Sequence, residues 1–169
     1  MYPEHIRQLA AALLAEYEFA GYMVATAESC TGGLVAGALS DIPGSSKVLD
    51  RGFVTYSNVA KSEMLGVPPS LIMAHGAVSA EVAVAMAVGT LAKSKADVTV
   101  AITGIAGPSG ATETKPVGRV YIATAVRRGP ANHKEYTFAG DRTAVRLAAL
   151  ESALERLRKA RPASGLRCY

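Results

Sequence analysis

Apolar positions along the chain switch repeatedly between a helical and a strand-like period. Behind Pro3, residues Ile6, Leu9, Ala10, Leu13, Leu14 and Tyr17 recur at helical spacing, predicting an amphipathic helix over roughly residues 3 to 19 that Gly21 ends. Tyr22 to Ala27 is a short strand-like run. It leads without pause into the polar segment Glu28-Ser29-Cys30-Thr31, two glycines, and a helical run from Leu34 to Leu39. Asp41 to Ser46 reads as a loop, and Gly52 to Tyr56 as a second strand rich in β-formers. Ser79 is placed to cap a helix with Glu81 in its first turn and Val82, Ala83, Met86, Ala87 and Leu91 along its apolar stripe, ending near Lys95. Asp97 to Ile102 is a near-continuous apolar run, as expected of a central strand buried on both faces. Val120 to Val126 and His133 to Phe138 predict two more strands, joined as a hairpin through Arg128-Gly129-Pro130. Asp141 then caps a long helix carrying Leu147, Leu150, Leu154 and Leu157 on one face.

Five strands alternating with four main helices predict an α/β chain: a three-layer α/β/α sandwich around a mixed, mostly parallel sheet. No repeat or low-complexity linker divides it, so one domain is expected over residues 1 to 161, with a flexible tail over residues 162 to 169.

Composition narrows the function classes. Of the 169 residues, 50% are apolar and 19% charged, enough to bury one substantial core. Lys plus Arg is 18 against 14 for Asp plus Glu, a mild excess of +4. Much of it lies in Arg156, Arg158, Lys159, Arg161 and Arg167, which a solvated helix face and tail account for. With 6% aromatics and no Trp there is no basic, aromatic-lined stripe for nucleic acid. Cys30 and Cys168 stand in unrelated contexts, which predicts free thiols and a reducing compartment. The start of the chain lacks an export pattern and no apolar stretch reaches the length of a membrane span, so a cytoplasmic location away from membranes is expected. No His, Cys, Asp and Glu grouping has metal-ligand spacing, and neither metal nor cofactor is expected.

Three polar, glycine-rich loops follow predicted strands: Glu28 to Gly33, Tyr56 to Lys61, and Thr103 to Gly118. In open α/β sheets ligands bind where such loops meet at the carboxyl ends of strands. The first loop packs a carboxylate, two hydroxyls and a thiol into four residues at a helix start. Simple capping needs one hydroxyl, so the loop points to chemistry. The three histidines, His5, His75 and His133, lie outside the hydroxyl-rich loops, which leaves a Ser-His-Asp triad without support. A buried lysine with a lowered pKa is the other base for a serine. Lys61 is the candidate; a surface lysine opening a helix from Lys61 to Leu65 is the alternative. The third loop matches neither a P-loop nor GxGxxG, though its glycines permit close approach of backbone amides to an anion. Arg142, at a helix start, has two readings: a phosphate or carboxylate ligand, or a solvated arginine beside an ordinary Asp cap. Cys30 is a rival nucleophile to Ser29.

Seven motifs occur in order: TAESCTGG (Thr26 to Gly33), PGSS (Pro43 to Ser46), YSNxAK (Tyr56 to Lys61), LGV (Leu65 to Val67), HGAVS (His75 to Ser79), TGIAGP (Thr103 to Pro108) and KPVG (Lys115 to Gly118). Together they resemble the CinA C-terminal family, which includes nicotinamide mononucleotide deamidases, over about residues 5 to 160. The resemblance implies an α/β/α fold, a homo-oligomer, and an amidohydrolase that converts nicotinamide mononucleotide and water to nicotinate mononucleotide and ammonia. It implies Ser29 as nucleophile, Lys61 as its base and Tyr56 as a hydrogen-bonding partner. Thr31, Gly32 and Gly33 would supply donors near the carboxamide. Thr103, Gly104, Ala106 and Gly107 would line the nucleotide site, and Arg142, in a GDR element, would take the phosphate. Glu28, Cys30, Ser46 and Ser57 are expected beside the substrate. Where relatives carry a glycine-richer run after TGIAGP, this chain has Ser109 to Thr114, and a stand-alone form without the N-terminal domain of many relatives is expected. The alternative reading is a non-catalytic nucleotide-binding module that acts through partners in DNA uptake or damage responses.

Overall fold

The computed structural model describes residues 2 to 160 and Pro162; the predicted flexible tail, with Cys168 and Arg167, otherwise lies outside the described residues. Helix α1 (Glu4–Ala20) ends where Gly21 turns left-handed at φ 69°, and its stripe Ile6, Ala10, Leu13, Leu14 and Tyr17 is buried. Strand β1 (Val24–Glu28) is buried along its whole length, as is β3 (Val98–Gly104) up to its last residue. The remaining strands are β2 (Leu49–Val54), β4 (Arg119–Val126) and β5 (Ala131–Thr137), in the sheet order β2-β1-β3-β4-β5. β1 pairs in parallel with β2 and β3, whereas β4 pairs antiparallel with β3 and β5. Four strands therefore run one way and β4 the other, giving the mixed sheet expected.

Helices α2 (Leu34–Ser40) and α6 (Arg142–Lys159) join α1 on one face; α3 (Asn58–Leu65), α4 (Pro69–His75) and α5 (Ala80–Ala92) cover the other. Two apolar cores result. One gathers α1, α2 and α6 over Val98, Val100 and Ile102, and the other packs α5 with Leu65, Val67 and Ile72 over Ala27, Ala101 and Ala123. Alternate residues of the central strands feed opposite cores, which is why those strands read as continuous apolar runs. The Tyr17 hydroxyl donates to the carbonyls of Leu157 at 2.6 Å and Ala160 at 2.9 Å, tying the end of α1 to the end of α6.

Besides shifts of one to three residues at other element ends, three elements differ from expectation. The second strand covers Leu49 to Val54 rather than 52 to 56, because beyond Val54 the carbonyls of Thr55 and Tyr56 turn away to the Lys61 amine. Helix α3 begins at Asn58, three residues before Lys61, because the Ser57 hydroxyl accepts the Ala60 N–H at 3.0 Å and caps it. Helix α4 was not expected; Pro69 at its first position, with φ already fixed, opens one short apolar turn.

Helices α3 and α5 meet at Gly89, where an added Cβ would lie 2.1 Å from the Leu65 carbonyl oxygen. Gly89→Ala is expected to lower stability by about 2 kcal/mol through this overlap, despite the better helix propensity of alanine. The midpoint of urea unfolding measures it. An unchanged midpoint would contradict the close packing of α3 on α5.

Candidate active site

The parallel register of β1, β2 and β3 brings their carboxyl ends side by side, with Glu28 level with Val54 on one flank and Ile102 on the other. The loops after all three strands therefore open at one edge of the sheet. Ser29 is fixed at the head of the first loop by its own N–H, which donates to the Ile102 carbonyl at 3.0 Å. The chain then turns back through Gly32 and Gly33 at φ 61° and 95°, left-handed values that suit glycine, before entering α2.

Glu28 organises that turn. Its carboxylate is fully buried and accepts the N–H groups of Gly33 at 3.0 Å, Val35 at 3.1 Å and Ala36 at 2.9 Å, with the Thr26 hydroxyl at 3.2 Å. An anion at the start of α2 satisfies donors the helix cannot use itself. The expectation that Glu28 and Gly33 face substrate is corrected by these contacts: the Gly33 N–H is spent on Glu28, and the Gly32 N–H on the Ser29 carbonyl at 3.0 Å. The Thr31 N–H has no acceptor among the described residues, and the buried Thr31 hydroxyl has none either.

The nucleophile candidate meets its base here. The Lys61 side chain, 1% exposed, comes up from α3 and places Nζ 3.1 Å from the Ser29 Oγ. The same nitrogen lies 2.9 Å from the Thr55 carbonyl and 3.5 Å from that of Tyr56. Burial pushes the Lys61 pKa below the ordinary 10.5, with the neighbouring Cys30 opposing in part. A neutral amine has two N–H donors and one lone pair, and this site supplies two carbonyls and one hydroxyl. Each side of the pairing is filled when the Ser29 O–H donates to Nζ.

Cys30 is buried in the core on the α6 side. Burial pushes its thiol up to about 11; Glu28 adds to the rise, while its own N–H, Arg146 and Arg142 oppose it. A thiol so placed stays protonated at neutral pH, unlike the low-pKa thiolate of a reactive cysteine.

The outer wall comes from α6. Arg142 donates to the Gly107 carbonyl at 2.9 Å and to the Tyr56 hydroxyl at 2.8 Å, bridging the third loop to the second. Tyr56 is 59% exposed, so this cation faces solvent at the mouth. At the end of β3, Thr103 is buried and donates its hydroxyl to the Ala77 carbonyl at 2.7 Å. Ala106 packs in the core. At Gly104 a Cβ would lie 2.7 Å from Val120, and at Gly107, with φ 83°, 2.6 Å from Val117, so both glycines let the loop fold tightly onto β4 and its entry.

Two residues expected beside the substrate are occupied or placed differently in the fold. Ser57 is exposed with its hydroxyl accepting at the start of α3. Ser46 lies in the short 3-10 turn Ser45–Lys47 that enters β2, at the opposite end of the parallel strands from Ser29, and is exposed. Two participants were not expected. Thr55 supplies a carbonyl to Lys61, and Arg146 donates to the carbonyls of Cys30 and Thr31. The signal for Arg146 is its spacing: four residues beyond Arg142 on α6, it leaves the same helix face. Among the described residues no group of His, Cys, Asp and Glu is arranged to hold a metal ion.

The family model of the CinA C-terminal domain matches residues 6 to 161. Nicotinamide-nucleotide amidohydrolase PncC of Escherichia coli (strain K12) is 53% identical over 137 residues, covering 81% of this chain and 83% of that protein. A CinA-like protein of Geotalea uraniireducens is 53% identical over 139 residues, 82% of this chain but 33% of its own length, so this chain spans about a third of such longer relatives. Among solved structures, the competence/damage inducible protein CihA from Agrobacterium tumefaciens superposes with a TM-score of 0.92 at 49% identity, covering 94% of this chain and 97% of that one.

Replacing Glu28 by alanine strands buried donors at the start of α2. Glu28→Ala is expected to cost about 3 kcal/mol of unfolding free energy, measured by denaturant titration. A loss below about 0.5 kcal/mol would show that the carboxylate does not organise the loop.

Proposed function

Because the chain belongs to the CinA C-terminal domain family, we propose that it is an amidohydrolase that cleaves the carboxamide of nicotinamide mononucleotide, giving nicotinate mononucleotide and ammonia by a Ser29-Lys61 mechanism. The substrate class comes from the amidohydrolase named among its relatives, whose length it largely shares. The observation that carries the mechanism is the 3.1 Å contact between a buried lysine amine and the Ser29 hydroxyl.

Acyl transfer follows from that contact. The Nζ lone pair takes the Ser29 proton as Oγ bonds to the carboxamide carbon, and the carbonyl π electrons move onto oxygen. The unclaimed Thr31 N–H is the donor for that oxyanion. Collapse breaks the C–N bond, and the Lys61 ammonium returns its proton to the departing nitrogen, which leaves as ammonia. Water then gives a proton to Lys61 and its oxygen attacks the ester. The second collapse expels Ser29, reprotonated by Lys61, and yields the carboxylic acid, whose proton passes to the released ammonia to leave carboxylate and ammonium. Arg142, cationic and without a carboxylate partner within hydrogen-bond reach among the described residues, recognises the substrate phosphate.

The same proposal includes a cytoplasmic location and self-association. No described helix is long and apolar enough to cross a membrane. Exposed Val54, Val59, Met64 and Met73 lie on β2, α3 and α4, in keeping with a second copy covering that flank. A module that only binds nucleotide has no use for a lysine buried against a serine hydroxyl.

Ser29→Ala and Lys61→Met are each expected to lower ammonia release by about 10³-fold or more with the fold retained, while Cys30→Ala stays near normal. In the wild type, kcat is expected to rise with pH as Lys61 loses its proton, along a limb whose midpoint lies below 10.5. Near-normal turnover by Ser29→Ala would remove the serine from the reaction. Arg142→Ala is expected to raise KM for the mononucleotide about tenfold or more and leave nicotinamide riboside unaffected. An equal effect on both would assign Arg142 another role.

A further inference from the structure

The guanidinium of Arg146 is placed where an anion-binding arginine would be wasted. It donates through Nε to the Cys30 carbonyl at 3.1 Å and through Nη2 to the Thr31 carbonyl at 2.9 Å, both just beyond the nucleophile. Among the described residues it forms no ion pair with a carboxylate. Its charge is spent on two successive peptide units.

Those two peptides differ at their other ends. A trans peptide is planar, so its N–H points opposite to its C=O. The unit joining Thr31 to Gly32 has its N–H taken by the Ser29 carbonyl at 3.0 Å. The unit joining Cys30 to Thr31 has its carbonyl on Arg146 and its N–H, that of Thr31, without an acceptor among the described residues. A cation at the carbonyl end draws electron density from the nitrogen and strengthens the donor at the far end. The fork also fixes the peptide plane, which sends the N–H away from α6. A donor held in place before charge develops costs no reorganisation when it does.

We propose that Arg146 is a positioning residue for acyl transfer: it orients and polarises the Cys30-Thr31 peptide so that the Thr31 N–H stabilises the oxyanion formed at Ser29. The role rests on the hydrolase reading above and adds to it a second duty for α6. Arg142 holds the ground-state substrate through its phosphate; Arg146 acts only as charge develops. The two arginines should therefore separate in kinetics, one in KM and the other in kcat.

The test compares wild type, Arg146→Ala and Arg146→Lys in two reactions: ammonia release from nicotinamide mononucleotide, and acylation of Ser29 by 4-nitrophenyl acetate, followed as the nitrophenolate burst. Both pass through a tetrahedral oxyanion, but the ester does not depend on nucleotide recognition. Arg146→Ala is expected to lower kcat about 100-fold with KM within threefold, to leave the midpoint of the pH limb unchanged, and to slow the burst to a similar extent. Millimolar ethylguanidinium is expected to restore at least tenfold of the loss, since it refills the fork. If Arg146→Ala fails to fold, Arg146→Lys carries the test, because an ammonium keeps the charge but cannot span both carbonyls; a kcat about tenfold down with KM held is expected. A kcat within threefold of wild type in the folded variant, a loss seen mainly in KM, or a loss that ethylguanidinium does not relieve would overturn the proposal. Wild type that acylates with the ester but leaves the mononucleotide intact would overturn the substrate reading alone, with the Arg146 effect still read from the burst. Wild type that does neither would overturn both.

Discussion

A lysine amine buried against a serine hydroxyl is the contact on which the rest of the site depends. Water is removed from a group that is normally charged, and the protein surrounds it with two carbonyls and one hydroxyl, so that burial, rather than any missing partner, is what disfavours the ammonium. Every unit by which the pKa falls corresponds to about 1.4 kcal/mol of preference for the neutral form. Because the folded pKa lies below that of the unfolded chain, the unfolded state holds more protons between the two values. Folding therefore gains stability as pH rises through that window, and below it the burial of Lys61 is a net cost that the two cores offset.

The fold meets the demand with few parts. Parallel pairing of β1 with both β2 and β3 sets three loops at one edge. The departure of the chain from β2 after Val54 frees the carbonyls that Lys61 needs, while α3, capped by Ser57, carries the lysine back beneath Ser29. On the other side, Glu28 occupies the start of α2, so the Ser29 loop is anchored from within by an anion and from outside by Arg146. Opposite charges on opposite sides of one short loop leave it little freedom. Lys61 stands on the α3 side and the two arginines on the α6 side, with Ser29 between them.

Much of this was legible in the chain. The uninterrupted apolar runs of β1 and β3 read as central strands, and the crowding of polar groups after Ala27 read as a site rather than a cap. The ordered motifs supplied the family and, through it, Ser29, Lys61, Tyr56 and Arg142. What could not be read was the direction of side chains within the loops. Glu28 sits beside Ser29 in sequence yet turns back to the helix that follows, since three amides at the start of α2 offer a carboxylate more than solvent does. Ser46 belongs to a family motif yet enters β2 from the far end, a consequence of parallel pairing that no local pattern reveals. Thr55 acts through a carbonyl, which every residue has. Arg146 was hidden because an arginine on a long helix ordinarily meets solvent.

The most direct test is the titration of Lys61 itself, followed through the 15Nζ resonance of lysine-labelled protein and assigned by its absence in Lys61→Met. One lysine is expected to lose its proton below 10.5, to be neutral over the pH range in which the enzyme turns over, and to move upward toward ordinary behaviour when water is admitted beside it. A Lys61 that titrates with the exposed lysines, at or above 10.5, would contradict this expectation, for an amine still protonated at working pH has no lone pair to take the proton of Ser29.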